Sequence, residues 1–391
     1  MSFKNYILVV CSLLAMQLHA SISEVKIGIL YGMNLTEVTV SGKKENVKFL
    51  IDSVQFHLNQ ESYTIKIVAT HDSLKLYLHD SLIGVAKTFK IEGGNYQSTR
   101  LLHPSFKNEK IYRGSILFTG NKGFLFPINI LDIEDYLPGV LEAEVGIGRP
   151  PEYYKVQAII CRTYTLSHLR RHEMEEFNLC DKEHCQVFKG FTNKSADIMQ
   201  AIEKTEGVVI VDQEFSLITA AFHANCGGQT VNSEDIWNKK LSYLRSITDT
   251  FCIRQKSAVW SKEISSDKWA ACMQKLCSNY SAATDTLLLN NEGSFLQFSR
   301  KRDYPLNQNC VIPLKDIRNG LGLRSTYFNA HQQNGHILLS GRGFGHGAGL
   351  CQDGAIRMSK LGYNYKSILH FYYQNVSIVH LDKIDFFRFD E

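Results

Sequence analysis

Apolar and polar positions alternate through the first third of the chain. Val25-Lys-Ile-Gly-Ile-Leu, Tyr63-Thr-Ile-Lys-Ile-Val and Ser115-Ile-Leu-Phe switch with period two or are rich in β-branched and aromatic residues. That is the pattern of strands with one buried face. Asn, Asp and Gly separate these runs, and Gly120-Asn-Lys-Gly123 reads as the last hairpin turn. A β-rich N-terminal region over residues 21–125 follows from this.

Beyond residue 125 the period lengthens. A helix opening at Asp132 or Asp135, either a suitable N-cap, is predicted over Tyr136 to Val145. Gly146, Gly148, Pro150 and Pro151 end it. Pro151 and Glu152 then suit the first turn of a second helix, whose stripe is Val156, Ile159, Ile160 and Tyr164. A third helix is predicted over Ser195 to Thr205, followed by the strand Gly207-Val-Val-Ile-Val. Next comes a β-rich, cysteine-bearing part over 251–335. The strand at His336, a glycine loop and a helix from Gln352 to Leu361 end the pattern. The fold class is therefore α+β, with mixed helices and antiparallel sheets around a central cleft. The domains read as 1–20, 21–125 and 126–391.

The first twenty residues change the picture. Lys4 precedes the apolar run from Tyr6 to Leu18, which has the length of a signal-peptide core and is too short to span a bilayer. Ala20 supplies a small residue at the expected cleavage site; a buried first strand is the alternative. No later segment has ~18 uninterrupted apolar residues, so an exported, soluble mature protein is expected, in a periplasm or other extracytoplasmic cell-wall space. Charge adds little: 43 basic against 39 acidic residues give a net charge of +4, too mild to argue for nucleic acid. Of ten cysteines, Cys11 would leave with the signal. Cys272–Cys277 and Cys252–Cys310 are candidate disulfides that spacing alone cannot assign.

Three stretches carry candidate chemistry. Gly343-Phe-Gly345-His-Gly347-Ala348 fits a dinucleotide fingerprint, G-x-G-x-x-G/A, but Gly354 through His380 contain no acid for the ribose and too little chain follows. A nucleotide is therefore not expected. The loop instead offers His346 among glycines, either to a ligand or to a neighbouring backbone in a structural turn. In the first helix, Leu137, Val140, Leu141 and Glu144 share one face, so Glu144 projects from the stripe that seeks the core. Burial raises a carboxyl pKa, and a carboxyl kept protonated can donate to a leaving oxygen. A salt bridge to Arg162 or Arg149 is the structural alternative. Finally, Cys180, His184 and Cys185, with His172 upstream, have metal-compatible spacing. A Cys180–Cys185 disulfide is the competing reading.

Together these blocks resemble the SpoIID/LytB family of peptidoglycan-active proteins. The residues are Ile133-Glu-Asp-Tyr-Leu-Pro-Gly-Val-Leu-Glu-Ala-Glu144-Val, Tyr154-Lys-Val-Gln-Ala-Ile-Ile-Cys-Arg162-Thr-Tyr164, Cys185-Gln-Val-Phe-Lys-Gly190, Phe222-His-Ala-Asn-Cys-Gly-Gly-Gln-Thr230 (with Glu234 and Trp237 following), Ile317-Arg-Asn-Gly-Leu-Gly-Leu-Arg-Ser325 and the glycine run ending Cys351-Gln-Asp-Gly-Ala355. The resemblance covers roughly 110 to 380, in order. It implies a lytic transglycosylase that cleaves the β-1,4 bond between N-acetylmuramic acid and N-acetylglucosamine, with Glu144 as the single catalytic acid. Arg162, His223, Gln229, His346 and Gln352 are implied as substrate-binding residues lining a glycan groove. A non-catalytic glycan binder or amidase enhancer is the alternative. The implied partners are peptidoglycan glycan strands and a cell-wall amidase. No cofactor is required, although some members bind zinc, which here would fall to Cys180, His184, Cys185 and His172 as a structural ion. Cys351 and Cys226 stand where the family pattern has serine; being conservative in volume, they are expected to have little effect.

Overall fold

The computed structural model describes residues 24–384 apart from 46, 94–97, 192–194, 286, 288–292 and 308–309. The expected signal segment lies outside the described residues. The architecture is α+β, built as two compact units. The first comprises the chain to Gly148, Gln157–Val209 and the residues from Val379. The second comprises Arg149–Val156 and Ile210–Ile378.

In the first unit the period-two pattern becomes two sheets. One runs in the order Leu179–Cys180, Glu24–Gly28, Phe124–Asp132, Ser115–Asn121, Thr88–Gly93, Val47–Ile51, Val54–Phe56. The other runs Lys110–Arg113, Ser98–Leu102, Glu37–Lys43, Ser62–Thr70, Ser73–Leu78, Ser81–Ala86. Alternate residues point inward, as in Tyr63, Ile65 and Ile67. Phe49, Phe89 and Phe118 stack in a row, with centroids 6.3 and 6.2 Å apart. The Gly120–Gly123 turn forms as expected: Asn121 pairs with Phe124, and Lys122 and Gly123 both have positive φ, the two-residue turn that matches strand twist. Strand Phe124–Asp132 pairs with both Glu24–Gly28 and Ser115–Asn121. The β-rich region and the first helix thus share one sheet. The expected boundary at 125 falls inside that hairpin, whereas the compact units divide near Gly148 and Val209.

Helix α1 (Ile133–Val145) follows that strand without a break. Its cap is Asp132, whose carboxylate accepts from the Glu134 N–H at 2.7 Å. Helix α2 (Pro151–Ser167) buries Val156, Ile159 and Ile160, the expected stripe. Helix α3 (Ala196–Glu203) is capped by Ser195. Leu179–Cys180 adds in parallel to Glu24–Gly28, opposite Ile27 and Gly28.

In the second unit, residues 251–335 form an α+β layer rather than a β-rich part. Strands Val259–Ser265, His336–Arg342, Phe328–Gln333 and Ser294–Phe295 make an antiparallel sheet. Helices α4 (Ser266–Leu276) and α5 (Leu314–Leu321) pack on it around Trp269, Phe295, Tyr304, Ile317 and Phe328. Among the described residues Cys277 bonds Cys310, which corrects either candidate pairing, Cys272–Cys277 or Cys252–Cys310. Cys310 opens the strand Cys310–Pro313, paired with Asp303–Asn307. Cys272 is a free thiol against α5, where a Cβ on Gly320 would come within 2.7 Å of its sulfur. Two short strands, Phe222–His223 and Leu350–Cys351, pair in parallel. The second leads directly into helix α6 (Gln352–Lys360), followed by α7 (Tyr365–Tyr372). No helix among the described residues is long and apolar enough to cross a membrane.

Candidate functional site

Helix periodicity places Leu137, Val140 and Leu141 in the core of the first unit and leaves Glu144 half-buried at the end of the same stripe. Gly139 makes this seating close: a Cβ there would lie 2.4 Å from the Gly190 carbonyl oxygen and 2.6 Å from the Phe188 ring. The segment before Phe188 therefore runs against α1, and the Val187 N–H donates to Glu144 Oε1 at 2.8 Å. Burial raises the Glu144 pKa, the Val187 bond lowers it, Glu183 raises it and Lys189 lowers it. Burial dominates, as the apolar stripe implies. Val187 also lines a cavity of about 1310 Å³ with Lys182, Glu183, His184, Lys189, Arg100 and Lys110 among its walls.

Arg162 does not touch Glu144. It is fully buried, and its Nε and Nη2 donate to the two oxygens of Glu134, both at 2.6 Å, while Nη1 donates to the Val208 carbonyl at 3.0 Å. A guanidinium with no surface cannot meet a glycan, so its expected place in a groove is corrected: it fastens α2 to the start of α1. That leaves Glu144 without Arg162 as a partner.

Four donors converge beside this segment. His172, Cys180, His184 and Cys185 place their ligand atoms within 4.8 Å of one another. Cys185 Sγ lies 3.3 Å from His172 Nε2 and 3.5 Å from His184 Nδ1, and Cys180 Sγ lies 3.9 Å from His184 Nδ1. Ligands about 2.0–2.3 Å from a tetrahedral zinc would be about 3.3–3.8 Å apart. The set therefore fits zinc in number, chemistry and spacing, and Cys180 and Cys185 are both free thiols. His172 Nδ1 meets the Glu175 carboxylate, which orients the ring and leaves Nε2 for a metal. The loop is tied to the sheet by Asp181, whose carboxylate accepts the N–H groups of Leu30 and Tyr31 at 2.7 and 3.2 Å.

The second unit holds the remaining expected residues. His223 and His346 meet edge to face with ring centroids 5.4 Å apart. The glycine run is needed for close approach: a Cβ on Gly349, at φ 70°, would lie 2.1 Å from the Ala221 carbonyl oxygen. His346 Nε2 donates to the Phe222 carbonyl at 2.8 Å, and Nδ1 accepts from the Ala348 N–H at 3.1 Å. Burial, with Arg318 and Arg300 adding, pushes its pKa down to about 4, so the ring is neutral at pH 7. Both nitrogens are engaged with backbone; the ring itself faces Trp237, centroids 5.2 Å apart. His223 donates through Nδ1 to the Ala348 carbonyl at 3.1 Å. Its Nε2 lone pair is buried with no partner among the described residues. Gln229 is engaged: Oε1 accepts from the Arg300 N–H at 3.0 Å and Nε2 donates to Ser246 at 3.1 Å. Gln352, half-buried at the start of α6, makes no side-chain hydrogen bond among the described residues. The histidine pair therefore braces the Phe222 and Ala348 backbone, and Gln352 keeps an amide unengaged among the described residues. Trp237, 42% exposed, adds the flat apolar surface that sugar rings stack on, although spacing alone did not single it out.

Comparison with known proteins agrees with the ordered motifs. Residues 121–211 match the SpoIID family, described as stage II sporulation protein. An uncharacterized protein of Brachyspira hyodysenteriae is 28% identical over 278 residues, covering 70% of this chain and 74% of the relative. Stage II sporulation protein D of Bacillus subtilis is 26% identical over 274 residues, covering 64% and 76%. The amidase enhancer of the same organism is 26% identical over 292 residues, covering 62% of this chain and 40% of that protein. These matches support the SpoIID/LytB family for this chain.

Proposed function

We propose that this chain, as a SpoIID/LytB protein with a cell-wall-related function, is an exported lytic transglycosylase of peptidoglycan with Glu144 as its acid. The observation that carries the reading is a half-buried carboxyl with a raised pKa, not paired with Arg162, on the helix that carries the family motif. Protonated Glu144 donates to the glycosidic oxygen as the C1–O bond breaks. The sugar's own 6-hydroxyl then attacks C1, and the Glu144 carboxylate takes its proton. The product is a 1,6-anhydro end and the acid is restored. No water is consumed, so the second carboxylate of ordinary glycosidases is not needed. Within the second unit, Gln352 bonds an acetamido or hydroxyl group and Trp237 stacks on a ring face.

A zinc ion held by His172, Cys180, His184 and Cys185 is part of the proposal. Its role is structural: it fixes the loop whose Val187 N–H orients Glu144. The 26% identity to a protein named amidase enhancer favours a second reading, a glycan binder that assists an amidase. Glu144→Gln separates the two. Under the first reading, purified glycan strands incubated with the variant release no soluble anhydro-sugar while circular dichroism is unchanged. Under the second, the variant matches the parent chain in an assay with an amidase.

A further inference from the structure

A second convergence of ligand atoms lies in the second unit, and the activity proposed above makes no use of it. Cys226, Asp249, Cys252 and Cys351 are all fully buried, and their donor atoms lie within 4.8 Å of one another. Cys226 Sγ is 3.2 Å from Asp249 Oδ2 and 3.4 Å from Cys252 Sγ. All three cysteines are free thiols. The four ligands come from three separate stretches of chain, at Cys226, Asp249–Cys252 and Cys351, and meet in one space.

The surroundings suit thiolates. Cys351 Sγ accepts the backbone N–H groups of Cys226 at 3.3 Å and Gly354 at 3.4 Å. Asp249 is held by the Tyr372 hydroxyl on Oδ2 and the Phe251 N–H on Oδ1, both at 2.9 Å. Such outer bonds orient ligands and spread their charge. A positive group is also at hand: the Arg300 guanidinium donates to the Cys226 carbonyl at 2.6 Å. A disulfide between any two of these cysteines would leave a third thiol and a carboxylate buried together, which explains less of the arrangement than one ion bound by all four.

We propose that Cys226, Asp249, Cys252 and Cys351 hold a structural zinc ion. Three sulfurs and one oxygen close a tetrahedral shell with no position left for water, the arrangement of a structural rather than a catalytic zinc. In a tetrahedral site with Zn–S near 2.3 Å, ligand atoms lie about 3.8 Å apart, so small rotations about the Cys226 side chain complete the shell. Binding releases the thiol protons to solvent. The ion lies beside the strand pair that holds His223: Cys226 follows His223 by three residues, and Cys351 pairs directly with His223. Cys226 and Cys351 thus have a role beyond the volume of the serines the family pattern would place there.

The test is metal counting on the full-length chain. Serine replaces a thiol with little change of volume, so Cys226→Ser with Cys351→Ser should fold, which circular dichroism checks. The zinc content of the purified parent chain should exceed that of this variant by one ion per chain. Cobalt(II) loaded in place of zinc should give a thiolate charge-transfer absorption that weakens in the variant. As a second arm, a chain with Cys180→Ser and Cys185→Ser, which removes the other thiolate pair, should keep one zinc. Equal zinc content in parent and variant overturns the proposal. So does recovery of a disulfide-linked peptide joining any two of Cys226, Cys252 and Cys351 from the unreduced chain.

Discussion

At the scale of single residues, two ionic side chains with opposite assignments decide the reading. Glu144 carries the chemistry because its environment favours the neutral form, and the sign of the pH effects follows. With its pKa raised by burial, the acid stays protonated above the ordinary carboxylate range. The rate of glycan cleavage should therefore hold as pH rises past 4.5 and fall only when Glu144 ionises, and a pH–rate profile reads this. The same shift means folded Glu144 binds its proton more tightly than unfolded Glu144. Its contribution to stability is present below the unfolded pKa and is lost as pH rises through the folded one. Glu144→Gln should thus lower cleavage by about 10²–10⁴-fold yet leave the melting temperature at pH 7 equal or higher, since the amide oxygen can still accept from Val187. Arg162 is the opposite case. Arg162→Met strands the Glu134 carboxylate and should cost about 3–5 kcal/mol, read as a lower denaturation midpoint. A glycan-contacting arginine would instead change binding and leave the midpoint alone.

At the scale of elements, α1 is the part on which Glu144 depends. Gly139→Ala drives a methyl group into the Gly190 carbonyl and the Phe188 ring. Overpacking of this kind costs about 1–3 kcal/mol, and here it also pushes the Val187 segment off Glu144, so cleavage should fall along with thermal stability. This element was legible in advance. The Asp132 cap, the breaking residues after Val145 and the spacing of Leu137, Val140, Leu141 and Glu144 all use local rules that hold whatever packs nearby. The strands over 24–126 were legible for the same reason. The partners were not. Val187 lies 43 residues from Glu144, and Glu134 claims Arg162 because the start of α1 lies against α2. The Cys277–Cys310 bond depends on the pairing of Asp303–Asn307 with Cys310–Pro313. Likewise, the engaged nitrogens of His346 and the amide of Gln229 answer to backbone that only the folded chain brings near. The family resemblance named the residues for the sugar site but could not tell which of them the fold would leave with a free hydrogen-bonding group.

At the scale of the whole molecule, each unit contains a four-ligand cluster beside the residues proposed to act on glycan. The first cluster was visible as closely spaced Cys and His between 172 and 185. The second was not, because its ligands span residues 226 to 351. If both hold zinc, metal is folding energy for each unit. At a free zinc concentration a thousandfold above Kd, a bound ion adds about 4 kcal/mol. Dialysis against a strong chelator should therefore lower the melting temperature, and added zinc should restore it; a melting curve indifferent to chelator would remove metal from the account. Transglycosylation by Glu144 is read out by mass analysis of products from peptide-free and intact sacculi digested with the purified chain. Muramic-acid ends one water lighter than hydrolysis gives should be released by the parent chain and be absent with Glu144→Gln. Reducing ends of ordinary mass, or anhydro ends still released by the variant, would contradict it.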